Sequence, residues 1–361
     1  MAGIAPPRMK DVAKRAGVSQ ALVSRILNGD KLLSVKEETR TAVFKAVSEL
    51  GYVPNATASA LRTSKTNAFG LALKNITSPV FTEVIRGAQE AAAEIDCVLL
   101  LIDANAIENG SDRAAAILRG NRIDGLLIQG GYGRGEEKLV EFARNIPRVI
   151  VNSKGDGTVP GVYLQDDLAS SIAATHLAEL GHREIGLIGG ENSGSARRRR
   201  DGYIAGLKGA GIEPDPRLMI EAGWDAPSGY RATIELFERI VPTGLIVANP
   251  GAAVGSIAAL SALGLSIPDD VSVICVHDFW IAPYTVPALT TVELPLFELG
   301  RASVRQLAHG IAGDEVADLE LTDPLPSLRL RSSTAPPRAA AVKVRKPAAP
   351  RDARQANRSS R

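Results

Sequence analysis

Short apolar runs alternate with stretches of helical periodicity over most of this chain, from residue 68 onward. The runs have the length and composition of buried strands. They lie at 69–74, 97–103, 125–129, 148–152, 184–189, 244–249 and 271–276, and the clearest helical patterns lie at 80–94, 168–180, 252–263 and 297–311. This alternation predicts an α/β fold with parallel sheets that helices cover on both faces, here repeated as two lobes. Since ligands bind such sheets beyond the carboxyl ends of the strands, we expect a small-molecule site in a cleft between the lobes.

Charge is distributed unevenly along the 361 residues. Residues 1–65 contain eleven Lys and Arg against five Asp and Glu, and residues 333–361 contain eight against one, although the whole chain is only +2. The stretch between them is therefore acidic. A basic N-terminal region on an acidic body indicates that this region binds a polyanion. Residues 333–361 are rich in Ala, Pro, Ser and Arg without apolar periodicity, which predicts a disordered basic tail.

Cysteine, histidine and hydropathy patterns give no sign of a metal site, a cofactor or a membrane segment. Cys97 and Cys275 each lie in an apolar run and are expected to be small core residues, and the four histidines lack metal-ligand spacing. No apolar run reaches the length of a membrane span, and the first residues lack the pattern of a signal peptide. We therefore expect a cytoplasmic protein of two or three domains, with no metal and no cofactor.

Three short helical patterns fill residues 9–52. Gly17 suits the left-handed turn that ends the first helix, and Ser19 suits the N-cap of the second. The third pattern is preceded by a candidate capping box, Ser34 with Glu37. Its predicted buried stripe consists of Val43, Phe44, Val47 and Leu50. This periodicity alone fits a purely structural three-helix bundle equally well.

The exposed face of the second helix favours the alternative, a helix that enters the major groove of DNA. Its tip is small and able to form hydrogen bonds, and it carries little negative charge. We expect Gln20 to pair with adenine, Ala21 to contact a thymine methyl group and Arg25 to pair with guanine O6 and N7. The remaining candidates, which suit phosphate contacts that fix register, are Ser19, Ser24 and Asn28.

The residues themselves, KDVAKRAGVSQALVSRILNG at 10–29 and SVKEETRTAVFKAVSELGYVPNATASALR at 34–62, closely resemble the N-terminal headpiece of the lac-repressor (LacI/GalR) family of bacterial transcription regulators. The resemblance implies a repressor that binds double-stranded operator DNA. In that family a hinge helix folds in the minor groove and wedges a leucine into a central base step. Leu61 matches that leucine, Asn55 is positioned to cap the helix and Arg62 follows it. Two adjacent hinges imply a homodimer on a pseudo-palindromic operator. The alternative is that Leu61 only anchors a linker.

The rest of the chain resembles the effector-binding core of the same family, which is similar to periplasmic sugar-binding proteins. The matching landmarks are SPVF (78–81), LGHREIGLIGG (180–190), SARRRRDGY (195–203), SGYRA (228–232), IVAN (246–249) and PALTTV (287–292). The resemblance implies that Phe81 and Trp224 form walls of a pocket and that Arg199 binds effector hydroxyls or a carboxylate. The other implied polar contacts are Asn152, Ser195, Asn249 and Asp278. For each residue a surface or structural role is the alternative.

Two departures from the family bear on the effector. The family often has Asn-Asp where this chain has Asn249-Pro250, and an aspartate where it has Asn152. Each change removes an acceptor that typically binds sugar hydroxyls. A sugar or sugar derivative is the expected effector, and an anionic derivative, such as a sugar phosphate or a sugar acid, fits the loss of two carboxylates.

The predicted organisation has five parts. They are a flexible leader (1–8), a helix-turn-helix headpiece (9–54), a hinge helix (55–66), an effector-binding core (67–332) and a disordered tail (333–361). The core divides into an N-lobe at about 67–164 plus 293–323 and a C-lobe at about 165–290 plus 324–332.

Two other classes of protein compete with a regulator. A doubly wound enzyme is disfavoured because the glycines of 130–135 lack G-x-G-x-x-G spacing, and neither a Walker loop nor a G-x-S-x-G elbow is present. We therefore predict no enzymatic activity and no catalytic residues, and we interpret the glycine run as a loop. A sugar-binding protein without a DNA function is disfavoured by the headpiece.

Overall fold

Two units make up the chain, Met1–Thr66 and Asn67–Arg361. The computed structural model describes residues 7–27, 29–30, 33–52, 65–109, 116, 118, 120, 122–131, 134–190 and 193–338. Four of the residues predicted to contact DNA lie outside the described residues: Asn28, Asn55, Leu61 and Arg62.

The first unit contains three helices, α1 (Met9–Ala16), α2 (Gln20–Leu27) and α3 (Glu37–Leu50). Gly17 ends α1 in the left-handed conformation, with φ 68°, and the Ser19 hydroxyl accepts a hydrogen bond from the Leu22 amide at the start of α2. Both predicted helix-boundary roles are confirmed. The buried residues of the unit are Val12, Ala13, Val23, Ile26, Val43, Ala46 and Tyr52.

Two details of the third helix differ from the predictions. The helix begins at Glu37 with Lys36 at the N-cap, so Ser34 lies too far upstream to form a capping box. Phe44 is 50% exposed, because Val43 and Ala46 define the buried face and Phe44 lies one residue, about 100°, to the side of it.

The second unit consists of two six-stranded sheets with helices on both faces. The strands are β1 (Ala68–Leu73), β2 (Val98–Asp103), β3 (Gly125–Gln129), β4 (Arg148–Val151), β5 (Gly161–Leu164), β6 (Ile185–Gly189), β7 (Met219–Glu221), β8 (Gly244–Val247), β9 (Ser272–Val276), β10 (Thr290–Glu293), β11 (Leu319–Leu321) and β12 (Ser327–Arg329). The helices are α4 (Pro79–Glu94), α5 (Ala104–Glu108), α6 (Arg134–Phe142), α7 (Asp166–Glu179), α8 (Gly194–Gly209), α9 (Ala226–Arg239), α10 (Pro250–Ala262) and α11 (Leu296–Ala312).

The strand order is β11-β5-β4-β3-β1-β2 in the first lobe and β12-β10-β9-β8-β6-β7 in the second. All pairings are parallel except the one between β10 and β12. The chain passes between the lobes after β5, after β10 and after β11. The α/β fold with parallel sheets in two lobes is confirmed. Among the described residues, no helix has both the length and the apolar character that crossing a bilayer requires.

The C-terminal segment is ordered further than the sequence predicts. Ser333 is fully buried. Its backbone carbonyl accepts a hydrogen bond from the Val273 amide of β9, and its hydroxyl donates to the Val273 carbonyl over 2.6 Å. Arg338 forms ion pairs with Asp269 and Asp270. The prediction that disorder begins at residue 333 is therefore wrong, because backbone and hydroxyl pairing holds residues 333–338 on the second lobe without any apolar periodicity.

Only part of the glycine run at 130–135, which was predicted to be a loop, lies outside a helix. Gly130 follows β3, and Gly131 has φ 91°, which an L side chain rarely adopts. Arg134 already begins α6, so the run ends in a helix.

Candidate functional site

The DNA-facing candidates lie on α2 in the first unit. Gln20 and Ala21 are exposed at its N-terminal end, next to the exposed cap residue Ser19, and Ser24 is half-buried one turn later. The first turn of α2 has no acidic residue. An uncovered helix N-terminus without a carboxylate suits contact with DNA phosphates.

Arg25 is exposed on the same helix and is held by an ion pair. Its Nε donates to Asp30 Oδ2 over 2.7 Å, and the Asp30 amide donates to the Arg25 carbonyl. This local pairing orients the guanidinium group at the end of α2. To reach a base edge, Arg25 must exchange this carboxylate for guanine O6 and N7.

A cavity that opens to solvent lies between the two lobes of the second unit, and its empty space, with open solvent included, is about 520 Å³. It is located at the carboxyl ends of β1, β3, β4, β8 and β9, where a two-lobed parallel fold is expected to bind ligand. The first lobe contributes Asn75, Ser78, Val80, Phe81, Gln129, Gly130 and Asn152, and the second contributes Ser193, Ser195, Arg199, Trp224, Asn249 and His277.

Six of the seven predicted effector contacts line this cavity: Phe81, Asn152, Ser195, Arg199, Trp224 and Asn249. Asp278 does not line it. Its carboxylate instead accepts from Thr291 and from Arg331, which forms a 2.9 Å ion pair with it. The neighbouring His277 takes this place at the end of β9, with φ 74°. Its position directly after an apolar strand was the available sequence signal.

A buried charged cluster supports the second-lobe wall. Asp166, at the first turn of α7, is fully buried and accepts from Arg199 Nε over 2.8 Å and from Arg198 Nη2 over 2.6 Å. Arg199 also donates to the Ala248 carbonyl and to His277 Nε2. We call Asp166, Arg198 and Arg199 the Asp166 cluster. One buried carboxylate thus orients two arginines and fixes Arg199 in the cavity wall.

Arg198 links the two lobes through this cluster. Its Nη2 approaches the Asn152 carbonyl at 3.5 Å, and its guanidinium lies 5.4 Å from the centre of the Tyr163 ring. Asn152 and Tyr163 belong to the first lobe, whereas Asp166 begins the first helix of the second. Asp166 therefore pairs both with Arg199, which lines the cavity, and with Arg198, which contacts the first lobe.

Within the described part of the chain, three buried polar atoms on residues of the cavity lining have no hydrogen-bond partner: Asn152 Oδ1, Asn249 Nδ2 and His277 Nδ1. Asn249 Oδ1 accepts from the Ala252 amide and caps α10, which leaves its NH₂ group directed elsewhere. Burial and the adjacent Arg199 guanidinium hold the pKa of His277 well below its usual value, so the ring is neutral. Because His277 Nε2 accepts from Arg199, Nδ1 carries the proton and is a donor.

Aromatic rings form the apolar part of the cavity. Trp224 is half-buried, and the Arg199 guanidinium lies 5.6 Å from its ring centre. Gly190 lies under the ring, where a Cβ would come within 2.3 Å of it, so only glycine permits this ring position. Phe81, near the start of α4, is buried on the first-lobe side. The cavity can thus hold a ring compound with polar groups at both ends.

Comparisons with known proteins match both units. Residues 8–55 match the family model for bacterial regulatory proteins of the lacI family, and residues 174–334 match the model for a periplasmic binding protein-like domain. The HTH-type transcriptional repressor PurR of Proteus mirabilis is 32% identical over 334 residues, which cover 91% of this chain and 96% of that protein.

Solved structures agree with this assignment. The lac repressor dimer bound to operator and the anti-inducer ONPF matches with a TM-score of 0.78 and 27% identity, and the transcriptional regulator CelR in complex with cellobiose matches with 0.67 and 28%. Each match covers 91% of this chain and 99% of the other. The headpiece, the two-lobed core and the extent of these matches show that the chain belongs to the lacI family of bacterial regulatory proteins, which are DNA-binding transcriptional repressors with an effector-binding core.

Proposed function

We propose that this regulator acts as a cytoplasmic homodimer on a pseudo-palindromic operator and that a small polar ring compound in the interlobe cavity sets its affinity for DNA. One observation supports the effector role above all others. Among the described residues, buried polar atoms without a hydrogen-bond partner belong to cavity-lining residues of both lobes, Asn152 Oδ1 in the first and Asn249 Nδ2 and His277 Nδ1 in the second. Unpaired buried groups cost free energy, and a ligand that pairs them stabilises the closed arrangement of the lobes.

The effector is proposed to be a sugar or a sugar derivative. Hydroxyl groups can both donate to Asn152 Oδ1 and accept from Asn249 Nδ2, and Trp224 can stack on the apolar face of a sugar ring. The relative CelR is known in complex with cellobiose. In this proposal, effector binding changes lobe closure and thereby the pairing of the two predicted hinge helices, residues 55–66 of each subunit.

The homodimer is supported by apolar side chains that the single chain leaves exposed. β2 is an edge strand, and its Val98, Leu100 and Leu101 are exposed. In the second lobe, Val254 of α10 and Tyr284 are exposed as well. Exposed apolar side chains on an edge strand suit a protein–protein interface. A second copy of the chain is the partner that a two-fold operator requires.

We propose no catalytic role for the cavity. A serine nucleophile needs a histidine that accepts its proton, and Ser193 and Ser195 pair with each other at 3.2 Å. His277 Nε2 is already occupied by Arg199. The cavity therefore presents binding groups without an activated nucleophile.

Selection of bound sequences from random DNA with the full chain tests the DNA-binding proposal. We expect a pseudo-palindromic motif and a steep decrease of affinity with rising salt concentration, since phosphate contacts release counterions. Binding without a motif at every salt concentration would refute operator specificity.

Repeating the selection with a panel of sugars present tests the effector role. An effector that binds one lobe arrangement better must shift operator affinity and raise the melting temperature of the full chain. A sugar that raises the melting temperature without changing operator affinity would refute the coupling.

A further inference from the structure

The second-lobe wall of the cavity has an excess of positive charge. Asp166 supplies one carboxylate for two guanidinium groups, Arg198 and Arg199, so the Asp166 cluster has a formal charge of +1. Arg199 lines the cavity and is almost fully buried. In the described part of the lining, no carboxylate faces this charge. A buried charge of this kind interacts strongly with a ligand because water screens it poorly.

Three helices begin at this cavity. The residues before the first turns of α4, α8 and α10 are Ser78, Ser193 and Asn249, and all three line it. Each helix N-terminus contributes about half a positive charge. Their convergence on one cavity adds to the field of the Asp166 cluster and favours an anion.

The unpaired polar atoms of the described lining differ between the lobes in whether they donate or accept. The second lobe supplies two donors, the Asn249 NH₂ group and His277 Nδ1–H, both on residues that are at least nine-tenths buried. The first lobe supplies one acceptor, Asn152 Oδ1. A complementary ligand therefore has acceptors at the end that faces the second lobe and a donor, such as a hydroxyl group, at the other end.

We propose that the effector is an anion, a hydroxylated ring compound whose carboxylate or phosphate group binds against Asn249, His277 and the N-terminus of α10. This inference rests on the proposed effector function and specifies its chemical class. The ring lies between Phe81 and Trp224, and its hydroxyl groups reach Asn152. An anionic group satisfies both second-lobe donors and balances the charge of the Asp166 cluster.

Trp224 supplies a direct readout of the cavity. The chain has two tryptophans, Trp224 and Trp280, and Trp280 is 70% exposed and does not line the cavity. In full-length Trp280→Phe protein, Trp224 is therefore the sole tryptophan. The probes are inorganic phosphate, glucose, glucuronate and glucose 6-phosphate, all at constant ionic strength. Glucuronate and glucose 6-phosphate distinguish a carboxylate from a phosphate.

We expect a saturable change of Trp224 fluorescence with at least one anionic sugar, at an affinity at least about tenfold above that for glucose. Inorganic phosphate should compete for the same site. The proposal is overturned if glucose binds as tightly as both anionic sugars, and equally if no anionic probe gives a saturable change. Tight binding of glucose alone would leave the effector function intact, and the operator selection tests DNA binding separately.

Two substitutions at Asn249 locate the anionic group. Asn249→Asp and Asn249→Ser both keep an oxygen that can cap α10 through the Ala252 amide. They differ in the negative charge, so we expect Asn249→Asp to bind the anionic sugar at least about tenfold more weakly than Asn249→Ser does. Equal affinities, with both variants folded by circular dichroism, would show that the anionic group lies elsewhere and overturn the assignment.

Discussion

Two buried histidines stabilise the second lobe in their neutral form. His182 contacts the hydroxyls of Thr243 and Ser272 and donates to the Ala335 carbonyl, and burial lowers its pKa. The pKa of His277 is lowered further, by burial and by Arg199. Both rings are solvated and protonate freely in the unfolded chain, where their ordinary pKa is about 6.5.

This difference predicts a loss of stability in mild acid. Above about pH 6.5 both states are neutral at these rings, and below it the unfolded state binds protons that the folded state does not. The free energy of unfolding should therefore fall as the pH drops from about 6.5, by up to about 1.4 kcal/mol per pH unit for each histidine. Urea unfolding at pH 7.5, 6.5 and 5.5 measures it.

One substitution isolates the contribution of His182. In His182→Gln the free energy of unfolding should fall less steeply with decreasing pH than in the parent chain, because glutamine does not titrate. Identical pH dependence in the parent chain and His182→Gln would contradict the assignment to His182.

Arg25 is the residue of α2 from which we expect the largest effect on operator choice. Its guanidinium is oriented by Asp30 and can form a bidentate contact with guanine. Arg25→Ala should weaken binding to the selected operator by about 1–3 kcal/mol and relax the preference at one base pair of each half-site. Arg15→Ala also removes one charge, but from α1 rather than from the predicted recognition helix α2, and should leave the preference unchanged. An equal loss by Arg25→Ala on operator and random DNA would assign Arg25 to a phosphate.

At the scale of the secondary-structure elements, strands with a strong apolar pattern could be predicted from the sequence. The run at 125–129 coincides with β3, which is buried along its whole length. The three-residue strands β7, β11 and β12 escape prediction because too few residues show a period, and neighbouring strands rather than their own composition define them. Residues 333–335 were missed for the same reason, since backbone pairing with the second lobe leaves no pattern in the sequence.

The cavity lining shows a similar limit. Resemblance to the family points to the correct strand ends, and six of the seven named side chains line the cavity. At the end of β9 the outcome depends on the backbone, because φ 74° at His277 directs that side chain into the cavity and leaves Asp278 to pair with Arg331. A single positive φ at a residue other than glycine is not readable from the sequence.

The packing of α7 on α8 depends on one glycine. A Cβ at Gly202 would lie 1.9 Å from the Asp167 carbonyl, so Gly202→Ala must push the two helices apart. We expect it to lower the free energy of unfolding by about 1–3 kcal/mol. Because Asp166 and Arg199 lie on these two helices, effector affinity should fall as well.

Gly209→Ala is the control on the same helix, since nothing lies within 4 Å of its Cβ. It should leave stability unchanged or raise it by up to about 1 kcal/mol. Thermal unfolding followed by circular dichroism compares the two variants. Equal stabilities would mean that α7 and α8 tolerate a wider separation.

At the scale of the whole molecule, the proposed function connects DNA binding with effector binding through two copies of the chain. In the proposed homodimer, one headpiece contacts half of a two-fold operator, and the headpiece of the partner subunit contacts the other half. The proposed dimer surface includes β2, whose Val98 is 60% exposed at the edge of the first-lobe sheet. A carboxylate at this position would be desolvated in an apolar interface. It would remain solvated in a monomer.

Val98→Asp should therefore shift the chain toward the monomer and lower operator affinity by roughly 10²-fold, because the second headpiece no longer binds at high effective concentration. Sedimentation velocity and operator titration on the same samples measure the two effects. Leu325→Asp is the control, since Leu325 is 59% exposed but lies between β11 and β12. It should leave both quantities unchanged. A dimeric Val98→Asp chain with full operator affinity would exclude β2 from the interface, whereas a monomer with full affinity would show that operator binding does not require the dimer.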